Sequence, residues 1–308
     1  MAHRAHLFSL RIGHALRDAC FGNERYTLSR LQGDLLAGIS VGIIAIPLAM
    51  ALAIASGVAP QYGLYTAIIG GFVVALTGGS RYSVSGPTAA FVVILYPIAQ
   101  TYGLAGLLLA SVMGGVILVA MAYARLGRFI EYIPQSVTLG FTGGIAIVLV
   151  TLQLKDFFGL PLQDMPEHYL DKILLLARSL DQFDSTSVFI ALVTLATMLY
   201  WPKLRTPIPQ HLPAVIVASL LGVVLAHSGY EVDTIGSRFW LQPGPGGETA
   251  RISWSMVTAL IPSAFAIAML GAIESLLCAV VLDGMSGKRH SANSELLGQG
   301  LGNIVAPF

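Results

Sequence analysis

The sequence predicts an all-α polytopic membrane protein. Of its 308 residues, 55% are hydrophobic and only 11% are charged, whereas soluble domains contain about 25% charged residues. Three long stretches contain no charged residue, namely residues 35–80, 82–124 and 132–154. Because about 20 apolar residues suffice for a helix to cross the hydrocarbon core, each of the first two stretches can hold two crossings.

Glycine, proline and charged residues divide the apolar sequence into segments. We predict eight spanning helices and the beginning of a ninth. They lie near residues 35–55, 62–79, 87–101, 104–124, 132–154, 185–201, 212–228 and 256–282, with the ninth starting near residue 294. Apolar residues at helical spacing between His168 and Leu180 predict a helix along the membrane interface. The Gly- and Pro-rich segment Gly229 to Arg251 predicts an external loop.

The basic residues predict the orientation. Residues 1–33 contain five arginines and no apolar stretch long enough for a signal peptide, so we expect a cytoplasmic N-terminal segment with a short amphipathic helix. With the N-terminus in the cytoplasm, twelve of the 17 basic residues lie on the cytoplasmic side, as the positive-inside rule favours. The net charge of +1 does not suggest a nucleic-acid partner.

The third predicted span is irregular, because Ser80 to Ala90 leads into an apolar stretch too short to cross alone. Residues 82–85 alternate in polarity as in a short strand. Gly86 permits a break in the backbone, and Pro87 suits the first turn of a helix. The pattern therefore predicts a half-helix that begins inside the membrane at Pro87, where its N-terminus would attract an anion. A kink in a longer tilted helix is the alternative interpretation. The candidate anion ligands are Ser85, Thr88 and the N–H groups of Thr88 and Ala89.

Glu274 is an acid within an otherwise uncharged segment, residues 252–282. A carboxylate at that depth costs several kcal/mol unless it is paired, binds a cation or takes up a proton. Glu274 is therefore a candidate proton-coupling residue. The alternative is a neutral acid that forms a hydrogen bond between helices.

Other titratable residues give weaker signals. Asp34 either caps a helix that begins at Leu35 or acts as a second proton site at a cytoplasmic gate. Asp283 and Glu295 lie near the ends of predicted spans, where we expect them to be solvated.

Histidines and cysteines do not occur at metal-ligand spacing, so we expect no metal and no cofactor. No nucleophile, base and oxyanion arrangement can be assembled, so we do not expect an enzyme.

Several short motifs together resemble one known family. They are Pro60–Tyr65 followed by Gly78–Arg81, Ser83–Ala89, Tyr132–Pro134 with Gly140–Phe141, and Gly271–Ser275. These motifs are similar to those of the sulfate permease (SulP) family, the bacterial relatives of the SLC26 anion transporters. Within this family, the segments Ile46–Ile54 and Cys278–Met285 resemble those of bacterial C4-dicarboxylate transporters.

The resemblance implies a UraA/SLC26-like fold of fourteen segments in two inverted repeats of seven, followed by a cytoplasmic STAS domain. It also implies a homodimer in the inner membrane. Residues 34–308 would then hold the first repeat and the start of the second. We therefore expect the chain to be a fragment or a natural truncation that lacks the C-terminal half and the STAS domain.

The resemblance also implies an anion site between the third and tenth segments, completed by the first and eighth. Two departures bear on its specificity: Leu48 stands where many sulfate-transporting relatives have Gln, and Cys278 where sodium-coupled bicarbonate relatives have Thr. A thiol is a poor ligand for a hard cation, so Cys278 favours proton coupling over sodium coupling. The implied substrate-binding residues are Ser85, Gly86, Pro87, Thr88, Ala89, Ile46, Pro47 and Leu48, with Glu274 and Asp34 as proton-coupling candidates.

The sequence and the resemblance together predict proton-coupled uptake of C4-dicarboxylates such as succinate across the inner membrane. Transport of sulfate or bicarbonate is the alternative within the same family. A uniporter or channel-like anion pathway is a second alternative. The third is a non-functional or regulatory fragment.

Overall fold

A computed structural model describes residues 10–21, 26–132, 135–162, 166, 169–206, 208, 210–234, 237 and 253–308. Helices dominate this part of the chain. They are α1 (His14–Phe21), α2 (Leu28–Ala55), α3 (Pro60–Thr77), α4 (Val92–Tyr123), α5 (Gln135–Phe157), α6 (Tyr169–Arg178), α7 (Ser185–Tyr200), α8 (His211–His227), α9 (Trp254–Ser286) and α10 (Ala292–Val305).

Each predicted span corresponds to a helix, but several boundaries differ. The third and fourth predicted spans join in α4, which is interrupted at Gly103, whose φ of 64° and ψ of −164° are not helical and suit glycine. The first span begins earlier than predicted, at Leu28, because Thr27 accepts a hydrogen bond from Arg30 N–H and caps α2. The predicted loop Gly229 to Arg251 and the motif residues Ile133 and Pro134 lie largely or wholly outside the described residues.

The third predicted segment begins its helix later than expected. Thr88 is the N-cap, a 3₁₀ turn covers Ala89–Phe91, and α4 follows. Pro87 therefore precedes the helix instead of opening it, because the Thr88 hydroxyl can accept an N–H bond from the first turn and the proline ring cannot. The predicted strand at residues 82–85 is wrong: these residues form no strand, and the described part of the chain contains none with which they could pair.

Four helical stretches among the described residues are long and apolar enough to cross a membrane. They are Leu28–Ala55, Ala89–Tyr123, Ser185–Leu204 and Trp254–Ser286. Many of their large apolar side chains are exposed, such as Leu36, Val93 and Leu199, which is the pattern of helices that face lipid. The chain is a multi-pass membrane protein, and the full number of crossings stays a prediction.

The first of two compact units consists of Met1–Gly38, Ala45–Thr138 and Pro243–Phe308. Within it α10 packs against α3 and α4, and α9 packs against α4. Glycines allow these close approaches: a Cβ atom on Gly298 would lie 2.5 Å from the Gly78 Cα atom. The unit thereby brings residues near positions 80, 274 and 295 together.

The amino-terminal helix α1 belongs to this first unit and is held by its backbone. Gly13 N–H donates to the Thr77 carbonyl (3.0 Å) and Ala15 N–H to the Gly78 carbonyl (3.2 Å). Arg81 forms an ion pair with Asp18 and also donates to the Asp18 carbonyl. The segment just after α3 is therefore attached to residues that precede the first span.

The second compact unit consists of Ile39–Ile44 and Leu139–Gln242. Within it α7 packs against α8, and the Thr151 and Tyr169 hydroxyls are hydrogen bonded at 2.9 Å. Asp184 caps α7 by accepting from Ser187 N–H (2.7 Å) and Thr186 N–H (3.2 Å). These hydrogen bonds, that from Ser187 foremost, lower the pKa of Asp184 below its usual 3.8.

Removing this cap should destabilise the second unit. We expect Asp184→Ala to cost about 1 kcal/mol of stability, measured as a lower melting temperature in detergent, and Asp181→Ala in the exposed preceding turn to cost nothing. Because the folded pKa of Asp184 is lowered, the cap stabilises the fold above the unfolded pKa and is lost as pH falls through the folded value. The difference between wild type and Asp184→Ala should therefore shrink in strong acid, and a pH-independent difference would contradict this assignment.

Candidate functional site

The first unit contains a partly open cavity of about 620 Å³. Its wall is built from α2, α3, α4, α9, α10 and the extended segment before Thr88. The described residues that line it include no lysine or arginine, so among them backbone dipoles and uncharged donors are the groups that could attract an anion. The polar or charged side chains among its lining residues include Ser85, Thr88, Glu274, Ser275, Gln299 and Asn303.

Thr88 and Glu274, which the sequence predicts separately, are in direct contact. The Thr88 hydroxyl donates to Glu274 Oε1 at 2.7 Å and accepts from Ala90 N–H at 3.3 Å. The other carboxyl oxygen, Glu274 Oε2, is buried and has no hydrogen-bond partner among the described residues. Because a hydroxyl has one proton, the contact with Glu274 uses the only donor that the Thr88 side chain has.

The start of the helical segment leaves two backbone donors for a ligand. Ala90 N–H is bound by the Thr88 hydroxyl, and Phe91 N–H donates to the Thr88 carbonyl at 3.3 Å. The N–H groups of Thr88 and Ala89 donate to no acceptor within the part of the chain that the structure describes. Free N–H groups at a helix start suit an anion, so these two remain the anion-binding candidates with uncommitted protons.

Glu295 is the functional candidate that sequence reasoning missed. The expectation that it is solvated is wrong: the residue is 1% exposed, and its carboxylate accepts four hydrogen bonds. Oε2 accepts from Gly79 N–H and Ser80 N–H, both at 2.9 Å, and Oε1 accepts from the Ser275 hydroxyl (2.9 Å) and Gln299 Nε2 (3.2 Å). Its burial follows from these donors, because four hydrogen bonds replace the water that an ionised carboxylate requires.

A pattern in the sequence could have indicated this network. Glu295, Gln299 and Asn303 follow each other at intervals of four, which places them on one face of a helix. In the structure Gln299 and Asn303 line the cavity, and Ser85 donates to Gln299 Oε1 at 3.1 Å. The polar face of α10 thus continues the hydrogen-bond network from Glu295 to the cavity.

Asp283 is likewise not simply solvated. It accepts hydrogen bonds from the backbone N–H of His290, at 3.0 and 3.1 Å to its two oxygens, and its Oδ2 lies 2.8 Å from His290 Nδ1. The contact joins the last turn of α9 to the segment before α10. Asp283 therefore stabilises the connection between the two helices.

The first-segment residues predicted for the site do not line the cavity. Ile46 and Leu48 are 52% and 53% exposed, and Pro47 lies between them inside α2. The structure does not bring these three residues together with the segment from Ser85 to Ala89. The side chains that α2 and the residue following it contribute to the cavity wall are Leu52, Ala53 and Ser56.

Asp34 is also outside the cavity. It lies in the second turn of α2, so it cannot cap a helix that begins at Leu28. Its side chain is exposed and accepts a hydrogen bond from the Tyr26 hydroxyl at 2.5 Å. This hydrogen bond raises the pKa of Tyr26 above its ordinary value. The structure places Asp34 with Tyr26 and not with Glu274.

The residues described by the structure include no group of three or more His, Cys, Asp or Glu side chains that could hold a metal ion. Cys278, four residues after Glu274, lines the same cavity. A cation at that position would meet a thiol on this face of α9, and sulfur is a poor ligand for hard cations.

Comparisons with known proteins agree with this architecture. The family model described as "Sulfate permease family" matches residues 31–308. YvdB of Bacillus subtilis (strain 168), named as a sulfate transporter, is 40% identical over 285 residues, covering 92% of this chain and 53% of that protein. The bicarbonate transporter BicA of Picosynechococcus sp. (strain ATCC 27264 / PCC 7002 / PR-6) is 32% identical over 290 residues, covering 90% of this chain and 50% of that protein.

The fold matches solved structures. The transmembrane domain of a cyanobacterial bicarbonate transporter BicA superimposes with a TM-score of 0.76 and 29% identity, covering 92% of this chain and 73% of that structure. The structure of SLC26A9 matches in fold with a TM-score of 0.72 at 20% identity, covering 92% of this chain and 48% of that one. The chain spans about half the length of the curated relatives named above. Together with the family match over residues 31–308, these likenesses identify the chain as a member of the sulfate permease family.

Proposed function

We propose that the full-length protein is a secondary active transporter that takes up a small oxyanion together with a proton. The observation that supports it most directly is the 2.7 Å hydrogen bond from Thr88 to Glu274 on the wall of the cavity. It places a protonatable carboxyl group against the helix start at which an anion would bind. The N–H groups of Thr88 and Ala89 would bind the anion.

The same contact suggests how proton and anion binding are coupled. While Glu274 is ionised, the Thr88 proton is held by the carboxylate, and a second negative charge would lie close to the anion. When Glu274 takes up a proton, that charge disappears, and the Thr88 hydroxyl can turn its proton to the anion while it still accepts from Ala90 N–H. Each ligand therefore favours binding of the other, as linkage requires.

The substrate class rests on two kinds of similarity. The segments around Ile46 and Cys278 resemble the C4-dicarboxylate transporter DauA, which makes a succinate-like dicarboxylate the first candidate. The names of YvdB and BicA make sulfate and bicarbonate the alternatives. In this proposal the complete protein is a homodimer with a STAS domain, its N-terminus is cytoplasmic, and it acts in the inner membrane.

Uptake by the full-length protein in proteoliposomes tests the function. Labelled succinate, sulfate and bicarbonate are offered separately, with and without an inward proton gradient. We expect accumulation of at least one of them to depend on the gradient. Accumulation that ignores the gradient, or current without proton movement, would instead favour the uniporter or channel-like alternative.

Thr88→Val should impair this uptake, because the variant removes the hydroxyl that joins Glu274 to the helix start. Loss of one hydrogen bond to a charged partner corresponds to about a tenfold weaker apparent affinity. Thr88→Ser retains the hydroxyl and is the matched control, for which near wild-type affinity is expected. Equal affinities for wild type and Thr88→Val would remove this helix start from the binding site.

A further inference from the structure

The direction of the hydrogen bonds between Glu295 and Ser85 is fixed by chemistry. Glu295 accepts from two backbone N–H groups and the Ser275 hydroxyl, and an ionised carboxylate is only an acceptor. Gln299 must therefore present its NH₂ group to Glu295, as it does at 3.2 Å. Its carbonyl oxygen is left to face Ser85.

An amide oxygen is also only an acceptor, so Ser85 must donate its hydroxyl proton to Gln299, at 3.1 Å. A serine hydroxyl has one proton and two lone pairs. The proton is used by Gln299, and what Ser85 can offer to a ligand in the cavity that it lines is a lone pair. This reverses the role expected from the sequence, in which Ser85 donates to an anion.

We propose that Glu295 and Gln299 fix Ser85 as a hydrogen-bond acceptor, and that the cavity thereby selects oxyanions that carry an O–H donor. Such a ligand places its charged oxygens at the N–H groups of Thr88 and Ala89 and donates its own proton to Ser85. Bicarbonate and hydroxylated or singly protonated dicarboxylates have this chemistry. Nitrate and the sulfate dianion lack it, and their oxygens would meet the Ser85 lone pairs.

This inference rests on the proposed anion-binding function and adds a specificity determinant to it. Glu295 and Gln299 act through Ser85 and are positioning residues. Ser85 is the residue that touches the ligand. The test therefore requires two anions of the same charge that differ in the O–H group.

Bicarbonate and nitrate form such a pair, since both are planar, singly charged and similar in size. Their dissociation constants are measured by calorimetry on the full-length protein in lipid nanodiscs, at one fixed pH. Nitrate is intrinsically the weaker acceptor, so the informative quantity is the change in each constant on substitution and not the wild-type ratio. A matched dicarboxylate pair, malate and succinate, repeats the comparison with one added hydroxyl.

Two variants should reduce the preference for bicarbonate over nitrate, one by weakening bicarbonate binding and the other by strengthening nitrate binding. Ser85→Ala removes the acceptor, and we expect it to weaken bicarbonate binding about three- to tenfold while nitrate binding stays the same. Gln299→Met frees the Ser85 proton, and we expect it to strengthen nitrate binding by a similar factor. Ser111→Ala is the control, because that cavity-lining hydroxyl donates to the Leu107 carbonyl of its own helix at 2.9 Å.

The outcomes separate the two proposals. If no variant and no wild-type protein binds bicarbonate, nitrate, sulfate or succinate saturably, the proposed function itself fails. If wild type binds anions but Ser85→Ala weakens bicarbonate and nitrate equally, or changes neither, the acceptor role of Ser85 is overturned. Stronger nitrate binding by Gln299→Met, together with unchanged dissociation constants in Ser111→Ala, supports the acceptor role of Ser85.

Discussion

Replacing Glu274 with Gln is expected to abolish the pH dependence of anion uptake by the full-length protein. An amide has the shape of the neutral acid, can still accept from the Thr88 hydroxyl, and cannot exchange a proton. In the wild type, the protonated fraction of a carboxyl group falls about tenfold for each pH unit above its pKa, and uptake should follow that fraction. In Glu274→Gln, initial rates should be nearly constant across the same range.

Asp34→Asn is the matched control, because Asp34 is the other acid proposed for proton coupling and is exposed beside Tyr26. We expect that variant to keep the wild-type pH profile. Initial rates of succinate, sulfate and bicarbonate uptake at a series of external pH values provide the measurement. A flat profile in Asp34→Asn together with a normal profile in Glu274→Gln would assign proton coupling to Asp34.

Glu295→Leu is expected to prevent stable folding of the first unit. The substitution leaves the N–H groups of Gly79 and Ser80 without their acceptor, and the Ser275 hydroxyl and Gln299 amide lose a partner as well. The Gly79 hydrogen bond is buried and the other three are half-buried. An unsatisfied buried group costs about 1–3 kcal/mol, so the loss is a large share of the stability of a typical domain, about 5–15 kcal/mol.

The expected signs are loss of folded protein after detergent extraction and a much lower melting temperature. Glu295→Gln should cost less, because its amide oxygen can still accept from both backbone N–H groups. Glu231→Leu, at an exposed acid of the second unit, controls for the general effect of replacing a carboxylate with an apolar residue. A wild-type melting temperature for Glu295→Leu would mean that the buried network contributes nothing to the fold.

The helices could be predicted because their signals are local. Apolar stretches bounded by charge, glycine and proline gave boundaries close to those of α3, α7 and α8. Thr88 and Glu274 could be recognised singly, since each breaks a rule that membrane segments otherwise obey. Their contact spans 186 positions of sequence and depends on how α9 packs against α4, which neither segment specifies alone.

Two differences between the sequence analysis and the structure have a common physical origin. Glu295 is predicted to be solvated because it lies near the end of a predicted span, but its partners Gly79 and Ser80 lie more than 200 positions away. The sequence also does not predict which face of α2 lines the cavity, because a helix that is apolar on all sides does not indicate which side faces a cavity. Ile46 to Leu48 are therefore assigned from resemblance alone, and their part in anion binding stays a prediction. The α2 side chains that line the cavity are Leu52 and Ala53.

The attachment of α1 to the end of α3 has a practical consequence. Gly13 and Ala15 hold the carbonyls of Thr77 and Gly78, immediately before the two N–H groups that Glu295 binds. An expression tag that strains this end of the chain would break the hydrogen bonds from α1 to Thr77 and Gly78. A shortened version that begins at the first span would lose them as well. In both cases only the hydrogen bonds to Glu295 would still hold the segment that follows α3. Variants for functional work should therefore keep residues 10–21 intact and carry their affinity tag elsewhere.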